Sequence, residues 1–395
     1  MSGPVLSGVS FAYPLTPGEE RARVALTGSA LRQAYRAVAD FGEEVFLLST
    51  CLRLEVVTPA DRSSLERILK VVFEEVPAPA GGVVRAGAEQ IHHLFRVAAG
   101  VESPVLGEPE VLGQFRSALD IGRREGAIGG LFERLLGESV AAGRAARRML
   151  PGSPYGSLAR VAAQLAGASD EVAVFGAGSM ARAVVQALAE LPAPCRVTVY
   201  ARRPQEVDLP GVGVAALEET GRVLRSVPVA ISATSAKQAL LAPEMLEEAL
   251  AGRDEELLLL DLAMPPDFLP TVDAPHLRYF GVDDLAGLAR RERPPDEVEA
   301  FLAEAAAAAT VRLANHGRVG PVIAAILGAA GRAVEEEVAR FAPRAREEER
   351  EVLEQLAHTV ARRVLHGPIS YLSTHPDGAT AAEAFGTAFG VRDDD

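Results

Sequence analysis

The feature that most constrains this chain is Gly176-Ala177-Gly178-Ser179-Met180-Ala181, a turn set between the apolar run Val172–Phe175 and a helical pattern from Met180 to Leu191. A short apolar run, closely spaced glycines and then a 3.6-residue period predict strand, turn and helix. A second apolar run, Val197–Tyr200, completes a βαβ unit. Strands joined this way run parallel and are covered on both faces, so Val229–Ser232 and Leu257–Leu262 predict further buried strands of a doubly wound sheet.

Within the turn, Gly176 permits a tight reversal, Gly178 lets backbone approach a pyrophosphate, and Ala181 takes the close-packing third position. The whole segment, with Ala177, Ser179 and Met180, is therefore a candidate dinucleotide site on a Rossmann-type layer; the plain alternative is a structural turn. An NAD site needs an acid at the end of the second strand. This chain has Ala201-Arg202-Arg203-Pro204 there, and two arginines suit a 2′-phosphate, which selects NADPH over NADH unless they are ordinary surface arginines.

A sequence of 395 residues exceeds one hydrophobic core, so other domains must flank this layer. Before it, Val45–Leu48 and Leu54–Val57 read as strands around Ser49-Thr50-Cys51, and Ser63–Glu75 reads as an amphipathic helix. That predicts an α+β domain over residues 1–150, ending at the helix-breaking stretch Met149–Gly156. The parallel-sheet domain follows over 151–290. From Pro295 the pattern is almost continuously helical, predicting an all-helical domain over 291–373, while 374–395 read as a polar, disordered tail. The segments Val319–Val338 and Val352–Leu365 carry apolar faces that a domain of this size does not bury alone, which predicts a homodimer.

Apolar runs are far shorter than the ~18–20 residues of a membrane span, and the first residues lack a secretory pattern, so no membrane association and a cytoplasmic location are expected. The net charge of −14 removes the basic footprint of a nucleic-acid protein from the chain as a whole. One local exception is the seven arginines from Arg116 to Arg148 against four acids, expected on a helix. This is either a phosphate-binding face or a solvated one.

Two cysteines make neither a disulfide framework nor a zinc site, and no metal site is expected. Cys195 leads into a strand and reads as a packed thiol. Cys51 has Arg53 two residues on, and a nearby cation lowers a thiol pKa toward the nucleophilic thiolate, although a lone cysteine is more often a small buried hydrophobe. His93, on a helical pattern, is a candidate acid, base or packing residue. The stretch Glu102–Gln114 reads as a loop whose polar residues invite a ligand.

Together these segments resemble glutamyl-tRNA reductases. The resemblance rests on Leu48-Ser49-Thr50-Cys51 with Arg53 and Glu55, on His93–Ala98, on Ser103–Gln114 and on the Gly176 turn. It continues through Ile231–Thr234, Asp261–Pro265 and Val364–Pro368, all in family order. It implies an N-terminal catalytic domain, an NADPH-binding domain and a helical domain that dimerises into a V-shaped homodimer. It also implies Cys51 as nucleophile, His93 as a histidine critical to activity, and a glutamyl pocket from Thr50, Leu52, Arg53, Ser103, Glu108, Pro109, Glu110 and Gln114. The implied substrate is tRNA(Glu) charged with glutamate, and the implied product is glutamate-1-semialdehyde, the start of five-carbon 5-aminolevulinate and tetrapyrrole synthesis. The aminomutase that follows in the pathway is a candidate partner.

The chain departs from the family pattern at Ser10-Phe11, Leu52, Leu54, Glu110 and Pro266, where the family usually has Asn-His, Asn, Thr, Gln and Arg. These departures leave two alternatives: an NADP-dependent reductase of another acyl or semialdehyde substrate, and a silent relative that binds tRNA or haem. Retention of Cys51, His93 and both glycines argues for an active enzyme.

Overall fold

In the computed structural model the described residues are 6–74, 76–150, 157–167, 169–193, 195–251, 253–269, 276–289, 292–341, 347–375 and 377–388. Most of the helix-breaking stretch expected at the first boundary, residues 151–156, lies outside them. Two compact units are present, Leu6–Ala303 and Glu304–Asp395.

The first unit holds two sheets. Its early part runs β1 (Ser7–Ala12), α1 (Gly18–Arg23), α2 (Ser29–Asp40), β2 (Phe46–Ser49), β3 (Arg53–Thr58), α3 (Arg62–Phe73), β4 (Val83–Ala86), α4 (Gly87–Ala99), α5 (Pro109–Arg124) and α6 (Gly130–Met149). The strands form an antiparallel sheet in the order β2-β3-β1-β4. All six residues of β3 are buried, so even Arg53 and Glu55 are carried into the interior, and both must find partners there. Tyr35 fastens α2 to the sheet: its hydroxyl accepts from the Leu47 N–H at 2.9 Å and lies 3.0 Å from the Ala118 carbonyl on α5.

The stretch expected as a loop to Gln114 turns helical at Pro109, because proline at the first helical position sacrifices only an N–H that has no partner in any case. The arginine run occupies two helices, not one. Positive-φ glycines at Gly126 and Gly130 break it, and ion pairs of Arg123 with Glu133 and Arg134 with Glu138 neutralise part of its charge.

The later part runs α7 (Leu158–Ala166), β5 (Glu171–Phe175), α8 (Ser179–Ala189), β6 (Arg196–Ala201), β7 (Gly213–Ala216), α9 (Thr220–Val223), β8 (Val229–Ser232), α10 (Pro243–Leu250), β9 (Leu257–Asp261), β10 (Leu277–Phe280) and α11 (Val282–Leu288). Its six strands are all parallel in the order β10-β9-β8-β5-β6-β7, so the winding reverses between β5 and β8. That reversal is the expected doubly wound layer, and it opens a crevice beyond the carboxyl ends of β5 and β8.

The second unit holds most of α12 (Asp296–Phe341), α13 (Glu347–Thr374) and α14 (Gly378–Ala388). Val319, Val322, Ile326, Leu372 and Ala382 make its small core. The tail expected to be disordered contains α14, because its alanines and Phe385 give a helix with an apolar side that packs on this core. On α13, Leu353, Leu356, Val360, Val364 and Tyr371 stay exposed at helical spacing. No single helix among the described residues is long and apolar enough to cross a membrane; one sharply bent pair within α12 reaches that length and composition only when its halves are joined.

Candidate active site

The crevice at the sheet's switch point is a cavity of about 530 Å³. One wall is the turn expected from sequence. Gly176 adopts φ +111°, and a Cβ there would stand 2.6 Å from the Ala233 carbonyl oxygen, so only glycine fits. Gly178 caps α8 with no side-chain hydrogen bond and has open space where a Cβ would sit, which leaves the helix's first N–H groups and its positive dipole end available to a phosphate. Ala181 is fully buried, as a close-packed third position requires. Ala177, Ser179 and Met180 line the cavity, and so do Arg202 and Arg203, which are exposed after β6; Arg203 pairs with Glu206 at 2.9 Å. A pyrophosphate therefore has backbone donors, and a further phosphate has two cations within the same cleft.

The opposite wall consists of Ala233–Ser235 after β8 and Leu262–Met264 after β9. A buried carboxylate pair that sequence reasoning missed shapes both loops. Asp267 accepts from Ser232, from the Thr234 N–H at 3.0 Å and from the Thr234 hydroxyl at 2.5 Å. Asp261 accepts from the N–H groups of Ala263 and Phe268, each at 3.0 Å. Burial, and then the charge of Asp267, push Asp261 up to about 7.

The cavity's third side belongs to the antiparallel sheet. Ser49, Thr50 and Cys51 reach it from the β2–β3 turn, with Gln114 from α5. The turn is tight because Thr50 Oγ1 accepts from the N–H groups of Leu52 at 3.2 Å and Arg53 at 3.1 Å. A second, nearly filled recess of about 10 Å³ adjoins it. Thr50, Cys51, Leu52, Arg53, Ser103, Glu108, Glu110 and Gln114 line that recess, so seven of the eight sequence-derived pocket positions meet around the thiol. Pro109 is the exception; it opens α5 and lines neither space.

The electrostatics correct one expectation. Arg53 does not act on the thiol, because its guanidinium is turned to Glu55 and to the Glu102 carbonyl. Burial, and then the Glu108 charge, push Cys51 up to about 12, and the cation working in the opposite direction is Arg21. Glu108, 4% exposed, is itself pushed up to about 7 by burial and then by Glu110.

His93 lines neither the cavity nor the recess. Its Nε2 lies 3.1 Å from Glu55, which also accepts from Ser10 at 2.9 Å and pairs with Arg53 at 3.2 Å. Burial drives the Glu55 carboxyl upward, but His93 and Arg53 outweigh it and hold the group below the usual carboxylate range. His93 thus reaches the recess through Glu55 and Arg53. Hydropathy does not reveal Glu55, which looks like the solvent-facing residue of a strand.

A glycine turn at the switch point of a doubly wound sheet, with a thiol lining the same cavity, has the architecture of a nucleotide-dependent enzyme. Comparison with known proteins narrows the class. Residues 9–149 match the glutamyl-tRNA(Glu) reductase N-terminal domain, residues 158–288 match shikimate/quinate 5-dehydrogenase, and residues 297–391 match the glutamyl-tRNA(Glu) reductase dimerisation domain. Glutamyl-tRNA reductase 2 of Anaeromyxobacter dehalogenans is 30% identical over 96% of this chain and 91% of its own. The glutamyl-tRNA reductase of Xanthomonas oryzae pv. oryzae is 31% identical over 91% of this chain and 88% of its own. A solved glutamyl-tRNA reductase from Methanopyrus kandleri aligns over 98% of this chain and 99% of its own, at 24% identity and a TM-score of 0.45. The chain belongs to the glutamyl-tRNA reductase family.

Proposed function

We propose that this protein reduces glutamyl-tRNA(Glu) to glutamate-1-semialdehyde with NADPH, through a thioester on Cys51, as the first step of tetrapyrrole synthesis. The observation that carries the reading is that Cys51 lines the same cavity as the Gly176–Ala181 turn, so an acyl group on its sulfur faces the cofactor cleft. The thiol must lose its proton to attack the aminoacyl ester; Glu108 and Glu110, lining the recess with it, are the carboxylates placed to receive that proton, and Arg21 favours the thiolate. Sulfur then displaces the tRNA 3′ oxygen, which leaves protonated.

Arg53 offers the γ-carboxylate a fixed guanidinium, oriented by Glu55 and behind it by His93, with Thr50, Ser103 and Gln114 as further polar walls and Leu52 as an apolar one; Pro109 acts only by starting α5 beside Glu108 and Glu110. The glycine turn would hold the pyrophosphate of NADPH, with Arg202 and Arg203 toward its 2′-phosphate, and the cofactor would there supply the hydride that reduces the acyl group on Cys51. Cys51 leaves as thiolate and the aldehyde is released. The domains assigned are 1–150 for the acyl site, 151–290 for the cofactor and 291–373 for a homodimer contact through the exposed α13 face. Exposed arginines of α5 and α6 outside the ion pairs named above, Arg116 and Arg144 among them, are the surface offered to tRNA phosphates.

Single-turnover reduction of glutamyl-tRNA tests this. Cys51→Ser is expected to form no aldehyde while keeping its fold and cofactor binding, and His93→Ala, which loosens Glu55 and through it Arg53, to slow turnover by about 10²-fold. Full activity in Cys51→Ser overturns the thioester.

A further inference from the structure

Two parts of the first unit that are far apart in sequence are joined beside the thiol by one ion pair. Arg21 on α1, only 3% exposed, donates through Nη1 to the Thr16 carbonyl at 2.6 Å and through Nη2 to Asp283 on α11, 262 residues later. The approach is close: a Cβ on Gly18 would stand 2.9 Å from Asp283 Oδ2. Tyr13, Ala22, Ala25, Cys51 and Leu52 share one apolar cluster with Val282, Leu285, Ala286 and Ala289. Such a cluster is adhesive but not directional, since apolar surfaces slide at little cost. The ion pair supplies the direction, because Arg21 is buried while Asp283 is 36% exposed at its rim, and a buried guanidinium that loses its carboxylate is penalised; fixing register is the best-attested use of such pairs.

We propose that Arg21 and Asp283 form an ionic latch that holds the Cys51 turn in register with the cofactor cleft, so that both are positioning residues for the reductive half of the reaction. The inference rests on the thioester reading above. Acylation needs Cys51 and the polar residues of the recess, all of which belong to the antiparallel-sheet side; from the parallel-sheet side only Met180 lines the recess. Reduction also needs the acyl carbon to meet a site built on the parallel sheet, and that alignment depends on how α1 is docked on α11.

The test uses the full chain as wild type, Asp283→Asn and Asp283→Glu. Asp283→Asn is expected to acylate Cys51 from glutamyl-tRNA within about twofold of wild type. Decay of the isolated acyl-enzyme on adding NADPH is expected to slow by about 10–100-fold, the size of effect an ångström of misplacement brings. Asp283→Glu, which keeps the carboxylate, is expected to recover most of that rate. Without any ligand, hydrogen–deuterium exchange of Gly18–Arg23 and Val282–Leu288 is expected to quicken in Asp283→Asn and not in Asp283→Glu. Wild-type decay or unchanged exchange in Asp283→Asn overturns the latch, and so does an equal loss of acylation and decay, which means general loosening. A wild type that is never acylated overturns the thioester reading instead.

Discussion

The two sheets reach the same cavity by different means. On the parallel sheet the site is made by backbone: a glycine at φ +111°, an α8 terminus without a side-chain cap, and strand ends at a topological reversal. On the antiparallel sheet it is made by buried side chains, in which Glu55 gathers Ser10, Arg53 and His93 inside a strand with no exposed residue. A backbone site depends on local conformation and tolerates change in most side chains around it. A charge-network site depends on every member, because each buried ion is tolerable only while its partners remain.

The sharpest way to break the second kind is Glu55→Gln. Replacing the carboxylate by an amide removes the charge that pairs with Arg53, 4% exposed, and turns one of the two oxygens shared by Ser10, Arg53 and His93 into a donor, so a loss of about 3–5 kcal/mol in folding stability is expected from chemical denaturation. Because the folded carboxyl is held below its unfolded value of about 4.3, its contribution is complete above that pH and disappears as pH falls through the folded pKa. The wild type should therefore lose stability below about pH 4 more steeply than Glu55→Gln. Matching acid slopes in the two proteins mean that Glu55 is not the centre of the network.

A smaller expected effect, of about 1–3 kcal/mol, attends Gly176→Ala, which forces a Cβ into the left-handed region against the Ala233 carbonyl. Here the main consequence is local: NADPH affinity measured by calorimetry should fall more than about tenfold while Cys51 remains acylable. If acylation fails in parallel, the two halves are not separable in the way described. The smallest effect is expected from the double change Arg202→Ala, Arg203→Ala. Both side chains are exposed and Arg203 is shared with Glu206, so the preference for NADPH over NADH should shrink by only about tenfold. Equal affinity of the wild type for both cofactors removes the role given to the two arginines.

The same contrast explains what was legible in the sequence. The Gly176 turn, the flanking strands and the parallel sheet are local patterns, and they lie within a residue or two of where period and turn chemistry place them. The pocket positions around Cys51 were legible only through the resemblance, because residues 50–53 and 103–114 meet through tertiary folding. Arg21 was invisible: it sits on a six-residue helix and meets a partner 262 positions away, so the sequence-adjacent Arg53 took its role beside the thiol. Asp261 falls at the end of a predicted buried strand and Asp267 beyond it, but no role is legible there for either, because their importance comes from N–H groups that converge only once β8 and β9 are paired. The C-terminal residues looked polar and unstructured because α14 owes its order to a small core supplied by α12 and α13.

The central claim, that Cys51 carries the glutamyl group, is tested most directly by the mass of the full-length protein after incubation with glutamyl-tRNA(Glu) and no reductant. One glutamyl adduct is expected, mapping to the peptide that contains Cys51 and disappearing in Cys51→Ser, with the half-buried Cys195 left free. An adduct on Cys195, or a wild type that turns over with NADPH yet never shows an adduct on Cys51, contradicts the account.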